Sequence, residues 1–489
     1  MINEKNNTPD KLREAYDPES FRKLGHQLVD LLADYLQAAA HEEIPANAWQ
    51  APDDQLAYWQ QYEVDPATPL TLFEDILERS IHLHHPHYIG HQICPTAPLS
   101  ALAGLVSGLL NNGMAVYEMG AAATAIEKVV VDTVLQKLGF NSEASGFLTS
   151  GGTLANLTAL LAARSAMVPS DIWQTAAPQQ LAVMVASEAH YCIDRAVRIM
   201  GWGAAGMIKI PVGDNFKMQT ELLEAAYQKA KAQGIKVIAV VGSAPSTSAG
   251  MYDDLEAIGQ FCTQRKLWFH VDGAHGGAAI FSNRYRHLLA GIEQADSVVI
   301  DGHKMLMTPS LMTFLLFKNK NQSFATFRQK AQYLIANSQE QEWFTLAQRT
   351  FECTKSMMSI KFYTLLKIHG EALFDQSVTH LYDLGKIFAE KVADRSQFEL
   401  ALSPDCNIVC FRYWQAGRSD QQLDHLNHAI RDQILKDGKF YIVQTKLKDI
   451  VYLRTTFMNP QTTPMIMETL LDEIEAIAKQ KQNGITVDG

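Results

Sequence analysis

Between Ser145 and Lys318 the chain repeats one pattern, a short apolar run followed by a stretch with helical spacing. The runs "AVMVAS", "KVIAVVGSA", "LWFHVD", "SVVID" and "FLLFK" have the length of strands and are rich in β-branched and aromatic residues. Strands that are apolar throughout need cover on both faces, and intervening helices provide it. The pattern therefore predicts an α/β domain with a mostly parallel central sheet and helices on both faces.

The flanks read differently. From Pro18 to Leu36, Phe21, Leu24, Leu28, Leu31, Leu32 and Tyr35 recur at helical spacing, giving an amphipathic helix whose apolar face has no evident receiver nearby in sequence. The polar, proline-bearing stretch "EEIPANAWQAPDDQLAYWQQYEVDPATP" reads as an irregular connection over a surface. After about Leu365 come helices and the amphipathic strands "NIVCFRYW" and "IVYLRTTF", consistent with a small α+β C-terminal domain. The expected organisation is an N-terminal helical, wrapping segment at 1–84, a large domain at 85–365 and the small domain at 366–489.

Composition narrows the functional classes. A chain of 489 residues, 47% hydrophobic and 19% charged, can bury a large core. Its formal charge of −11 and pI near 5.8 argue against nucleic-acid binding, which uses a basic face. No stretch reaches the roughly 20 apolar residues of a membrane span, and the polar N-terminus carries no apolar leader. The expectation is a soluble, cytoplasmic protein with no membrane partner. Six cysteines at 94, 192, 262, 353, 406 and 410 match neither a disulfide framework nor a zinc ribbon, so reduced thiols are expected. The histidines of "HLHHPHYIGHQICPT", at 82, 84, 85, 87 and 91, lack ligand spacing, and no metal site is expected.

Three stretches carry chemistry. In "GFLTSGGTLANLTALLAAR" a strand end meets a Ser-Gly-Gly-Thr turn and then a helix, the layout of an anion site; Thr153 serving only as a helix cap is an equal reading. In "LWFHVDGAHGG" Asp272 ends a strand, followed by small residues that leave room for a flat ligand, although acids also end strands as helix caps. In "IDGHKMLMTPS" Lys304 follows another strand end, where a lysine is ordinarily a solvated loop residue. Ligands of open α/β sheets bind outside the carboxyl ends of the strands, which is where both residues fall. An acid, a lysine and an anion cradle on one sheet edge suggest pyridoxal 5'-phosphate: a lysine for a Schiff base, a partner for the ring nitrogen and a phosphate site.

From roughly His85 to Thr463, and most specifically in "VDGAHGGA" and "DGHKM", the chain resembles the group II pyridoxal-phosphate-dependent amino-acid decarboxylases, the fold-type-I family of the glutamate, 2,4-diaminobutyrate and aromatic L-amino-acid enzymes. The resemblance implies that Lys304 bonds the cofactor, that Asp272 keeps its ring nitrogen protonated and that Ala274 packs beneath the ring. His190 in "SEAHYCIDRA" matches the histidine above the ring, and Gly152, Thr153 and His303 match phosphate-side positions. "CPT" matches a loop beside the substrate, with Thr96 near its carboxylate; Ile93 and Cys94 stand where aromatic-specific members carry bulky rings. "HKM" and "YEMGAAATAIE" also look more like the glutamate and diaminobutyrate branch. Tyr333 in "FRQKAQYLIANSQEQEW" matches the loop tyrosine that protonates the α-carbon, on a loop that is short for the family. Pro245 and Ser246 depart from the family's Gly-Thr, and Arg454 falls in a family stretch without an assigned role.

The expected protein is thus a homodimeric carboxy-lyase acting on a small-molecule amino acid, polar rather than aromatic, such as 2,4-diaminobutyrate or glutamate. An aromatic L-amino-acid decarboxylase, an aldehyde synthase or aminotransferase on the same fold, and a non-enzymatic binding protein are the competing readings.

Overall fold

The computed structural model describes residues 9–168, 177, 179–327 and 342–485. By packing, the chain forms two compact units, one of Met1–Ile89, Ala429–Ile442 and Gln461–Gly489, the other of Gly90–His428 and Val443–Pro460.

The second unit is built on seven strands: β1 (Ser145–Thr149), β2 (Leu181–Ala186), β3 (Met207–Ile210), β4 (Lys236–Ser243), β5 (Trp268–Asp272), β6 (Ser297–Asp301) and β7 (Thr313–Phe317). Their order across the sheet is β1-β7-β6-β5-β4-β2-β3. Strands β3, β2, β4, β5 and β6 pair in parallel, as the apolar runs predict. The run "FLLFK" is the exception, because β7 is antiparallel to both β6 and β1. Only residues 302–312 separate β6 from β7 and they form no helix, so the chain turns back instead of crossing over. Strands β1, β2, β5, β6 and β7 are buried at every position, and the Gly152–Met167 helix, buried at every residue from Ala155 to Ala163, lies against the sheet.

The same unit holds a four-stranded antiparallel sheet of β8 (Phe398–Leu400), β9 (Ile408–Tyr413), β10 (Val443–Leu447) and β11 (Ile450–Thr456), ordered β10-β11-β9-β8. Expected as amphipathic, β9 is buried at all positions and β11 at all but Ile450. Both are central strands of their sheet, so their polar residues need internal partners; Arg412, for example, pairs with Glu399 and Asp420 at 2.6 and 2.9 Å.

In the first unit the expected N-terminal helix runs Pro18–Ala40, capped by Asp17, whose carboxylate accepts from the Ser20 N–H. The stretch expected to be irregular contains a helix at Pro52–Gln60. Proline at its first turn and Asp53 and Asp54 beside the helix N-terminus favour it, while its weak amphipathic pattern hides it. Two of the histidines of "HLHHPHYIGHQICPT" have protein partners in this unit. His82 faces the carbonyls of Pro45 and Leu77, and His87 stacks on Phe440 at 4.1 Å with its Nε2 at 3.2 Å from Glu42. Among the described residues, no helix is long and apolar enough to cross a membrane.

One buried ion pair fixes the strand that leads into the Gly-Gly-Thr turn. Lys355 Nζ lies 2.5 Å from Glu127 Oε1 and also donates to the Leu148 carbonyl, while the Leu148 N–H donates to the same Glu127 oxygen at 2.9 Å. Both side chains are about 3% exposed, so removing one partner strands the other charge. Lys355→Met is expected to lower unfolding stability by about 3 kcal/mol, with partial recovery when Glu127→Gln is added. Denaturant midpoints of the three proteins check this, and an unchanged midpoint for the single variant would refute it.

Candidate active site

The carboxyl ends of β4, β5 and β6 meet the start of the Gly152–Met167 helix around a cavity of about 340 Å³. Its lining includes Gly152, Thr153, His190, Asp272, Ala274, His303 and Lys304, all singled out from the sequence.

Asp272 is the last residue of β5 and is buried. Its Oδ1 accepts from the Ala274 N–H at 3.2 Å, and among the described residues its Oδ2 has only the Cys192 thiol, 4.0 Å away. The carboxylate therefore keeps capacity for a further donor. Lys304 lies in the turn after β6, and its Nζ is 2.9 Å from Asp301 Oδ2. Asp301 is nearly inaccessible and its Oδ1 also accepts from Thr313 Oγ1 at 2.6 Å. Burial pushes the Asp301 carboxyl up, but the charges of Lys304 and His303 and the bonds from Thr313 and Lys304 outweigh it and hold it below the usual range.

His190 caps the Tyr191–Ile199 helix, with Nδ1 accepting from the Cys192 N–H at 3.3 Å, which leaves the proton on Nε2. Burial lowers its pKa, against the opposing charge of Asp272. His303 is held through Nδ1 against the Met312 backbone, with Nε2 3.7 Å from Asp301. Gly151 adopts φ +103°, open to glycine at little cost. A Cβ on Gly152 would stand 3.2 Å from both Asp301 oxygens and 3.5 Å from Ala274 Cβ, so the helix start packs directly on the lysine's strand end.

Other expected residues fall elsewhere. Ile93, Cys94 and Thr96 are not among the lining residues. Cys94 is buried and its thiol donates to the His303 carbonyl at 3.4 Å, while the Ala97 N–H donates to the Met307 carbonyl at 3.0 Å, so this loop backs the lysine turn. Tyr333 lies outside the described residues. Pro245 and Ser246, noted as departures, line the cavity.

Sequence reasoning passed over several groups. Asp301 stands in the same quoted stretch as Lys304 and ends its strand as Asp272 does, which was a readable signal. Asn156, Cys192, Ser243 and His275 also line the cavity. His275 Nε2 lies 2.8 Å from Asn407 Oδ1, its Nδ1 has no partner, and burial lowers its pKa to about 3. Arg454 on β11 is buried with Nε and Nη2 unbonded, and its charge bears on His275.

These residues fit pyridoxal phosphate. The cavity has the volume of a small-ligand site. Asp272 has an oxygen open to a protonated ring nitrogen, Lys304 offers an amine, and a glycine turn at a helix N-terminus suits an anion.

Comparison with known proteins agrees. The family model described as the pyridoxal-dependent decarboxylase conserved domain matches residues 62–414. An L-aspartate decarboxylase of Metarhizium robertsii is 29% identical over 415 residues, 84% of this chain and 82% of that protein. An L-2,4-diaminobutyrate decarboxylase of Acinetobacter baumannii is 28% identical over 430 residues, 85% and 84%. An aromatic-L-amino-acid decarboxylase of Bacillus atrophaeus is 26% identical over 471 residues, 94% and 96%. Among solved structures, mouse CSAD superposes with a TM-score of 0.87 at 23% identity, covering 94% of this chain and 99% of that one, a likeness of fold. With the family model spanning well over half of its length, the chain belongs to the pyridoxal-dependent decarboxylases, lyases that use pyridoxal phosphate to release carbon dioxide from amino acids.

Proposed function

We propose that this enzyme decarboxylates a polar L-amino acid, 2,4-diaminobutyrate or glutamate in the first instance, to the corresponding amine. The observation that carries the reading is Lys304 and Asp272 lining one cavity beyond the ends of adjacent parallel strands. Bound there, pyridoxal phosphate supplies the conjugated ring that takes up the electron pair left when the carboxyl group departs. In this reading Asp272 keeps the ring nitrogen protonated by its negative charge, and Lys304 provides the amine that bonds the cofactor and exchanges with substrate. His190 and Ala274 hold the ring from its two faces, and Gly152, Thr153 and His303 hold the phosphate side. Arg454, a buried guanidinium with unbonded N–H groups, is suited to fix a carboxylate. Tyr333 delivers a proton to the α-carbon after carbon dioxide has left.

The polar substrate class is supported by the lining, which among the described residues contains no Phe, Tyr or Trp and includes Ser243, Ser246 and Thr247. Thr96, Ile93 and Cys94 are retained as substrate-side residues on family resemblance, acting where the loop that backs the lysine turn meets the substrate. A homodimer is supported by the Pro98–Leu110 helix, on which Leu102, Leu105, Val106, Leu109 and Leu110 are each about half exposed or more. Six cysteines without a disulfide suit a reducing, cytoplasmic setting.

Three measurements test this. Carbon dioxide release across the twenty amino acids and diaminobutyrate is expected to give a higher kcat/KM for a polar substrate than for DOPA or tryptophan, from a species of twice the 54.4 kDa chain mass. A clear preference for aromatic substrates would favour the reading taken from the Bacillus relative instead. Lys304→Ala is expected to lose the borohydride-reducible covalent bond to cofactor that the parent shows; a retained adduct would move the assignment to another lysine. Tyr333→Phe keeps the ring and removes the acid, so amine formation should slow by roughly a hundredfold, with aldehyde and ammonia a larger share of product. Amine at the parental rate with no by-products would exclude Tyr333 as the proton donor.

A further inference from the structure

From the cavity wall inward, a continuous set of hydrogen bonds joins the strand that carries Asp272 to the first turn of the Gly152–Met167 helix, whose Gly152 and Asn156 line the cavity. His270 lies two residues before Asp272 on β5, so the two side chains leave the same face of the sheet. It is fully buried. Its Nε2 is 2.7 Å from Asn156 Oδ1, and its Nδ1 is 2.8 Å from Ser297 Oγ and 3.2 Å from the Ser297 carbonyl. Trp268 Nε1 donates to the same Ser297 hydroxyl at 2.9 Å. At the other end Asn156 Nδ2 donates to the Gly152 carbonyl at 2.8 Å.

The proton positions follow from what each end can do. The Gly152 carbonyl only accepts, so the Asn156 amide nitrogen must face it and the amide oxygen must face His270. His270 therefore donates through Nε2–H, and Nδ1 accepts from the Ser297 hydroxyl. Burial keeps the ring neutral, with its pKa lowered to about 4. In this arrangement each of the contacts from Trp268 to Gly152 pairs one donor with one acceptor.

We propose that His270 is a positioning residue that braces the two ends of the cofactor site at a fixed spacing. The inference rests on the reading of Asp272 as the ring partner and of the Gly152–Thr153 turn as the anion cradle. A rigid ligand held at both ends gains affinity from the linkage only if both ends stand at the right distance. Asp272 is set by β5, whereas the cradle belongs to a helix that could slide along the sheet. Asn156 and His270 tie that helix start to β5 itself, while Gly152 rests against Asp301 and Ala274 on its other side. Loosening the brace should weaken binding of the whole cofactor more than binding of either half.

The test uses the full-length apoenzyme and measures affinities for pyridoxal phosphate, for pyridoxal and for inorganic phosphate, the last two by competition with the first. His270→Leu removes the Nε2 donor, Asn156→Ala cuts the brace from the helix side, and His270→Gln restores an N–H donor near the Nε2 position. Expected is a loss of about tenfold in pyridoxal phosphate affinity for His270→Leu and for Asn156→Ala, with pyridoxal and phosphate each within about twofold of the parent and His270→Gln largely restored. If His270→Leu does not fold, the Asn156→Ala pattern decides. Pyridoxal phosphate affinity unchanged, or all three affinities reduced alike, would make His270 a core residue and overturn the brace. Failure of pyridoxal or phosphate to compete in the parent protein would instead overturn the reading of the cavity, and the brace with it.

Discussion

The parallel register between β5 and β6 is the constraint on which the site depends. His270 pairs with Ser297 and Asp272 with Val299, so β6 runs two residues further than β5 before its turn. That overhang brings Asp301 and then Lys304 past the level of the Asp272 carboxylate. Because side chains alternate faces along a strand, a slip of one residue would turn Asp301 to the opposite face and carry the lysine turn away from the acid. Both strands are buried at every position, and that packing prevents the slip, since it would exchange every packed pair at once. Packing of residues with no chemistry of their own thus fixes the geometry of those that have it.

How much of this was legible follows from where the partners lie in sequence. Asp272 and Lys304 could be found because each ends an apolar run, and strand ends are where α/β sheets bind ligands. The direction of β7 could not be taken from its composition, since a fully apolar strand looks the same either way. The short, helix-free interval 302–312 was the available sign of a reversal. The helix Pro52–Gln60 was hidden by a weak apolar pattern although its proline and acidic first turn were present. Groups such as His275 and Asn156 stayed unassigned because their partners, Asn407 and His270, lie 132 and 114 residues away. No local pattern signals such a pairing. Tyr333 lies outside the described residues, so its role rests on resemblance.

Glu352 and Lys355, further along the chain, are tied to the strand and turn that open into the cavity. Glu352 Oε1 accepts from Thr149 Oγ1 at 2.9 Å, from the Ser150 N–H at 3.2 Å and from Ser150 Oγ at 2.7 Å. Ser150 lines the cavity at the turn before Gly152. Three residues on, Lys355 binds Glu127 and the Leu148 carbonyl. A carboxylate and a buried ammonium thus attach one stretch of chain to successive residues of the strand and turn that open into the site.

The charges in the cavity explain why the site suits a ligand that is cationic at one end and anionic at the other. Asp272 and Asp301 face a single lysine, and the imidazoles of His190 and His275 are driven toward neutrality by burial. Asp301 lies against the glycine turn, where an anion would be repelled unless its charge were matched. Lys304 matches it at 2.9 Å, with the Thr313 hydroxyl and His303 close by. Among the described residues Asp272 has no such counter-ion as a hydrogen-bond partner, only a backbone N–H and a thiol. The uncompensated charge therefore sits at the Asp272 end, where a protonated ring nitrogen would relieve it. The neutral imidazoles add hydrogen-bonding groups without adding positive charge to compete for that carboxylate. Burial of the histidines, which by itself only costs solvation, thereby leaves the Asp272 carboxylate without a cationic imidazole beside it.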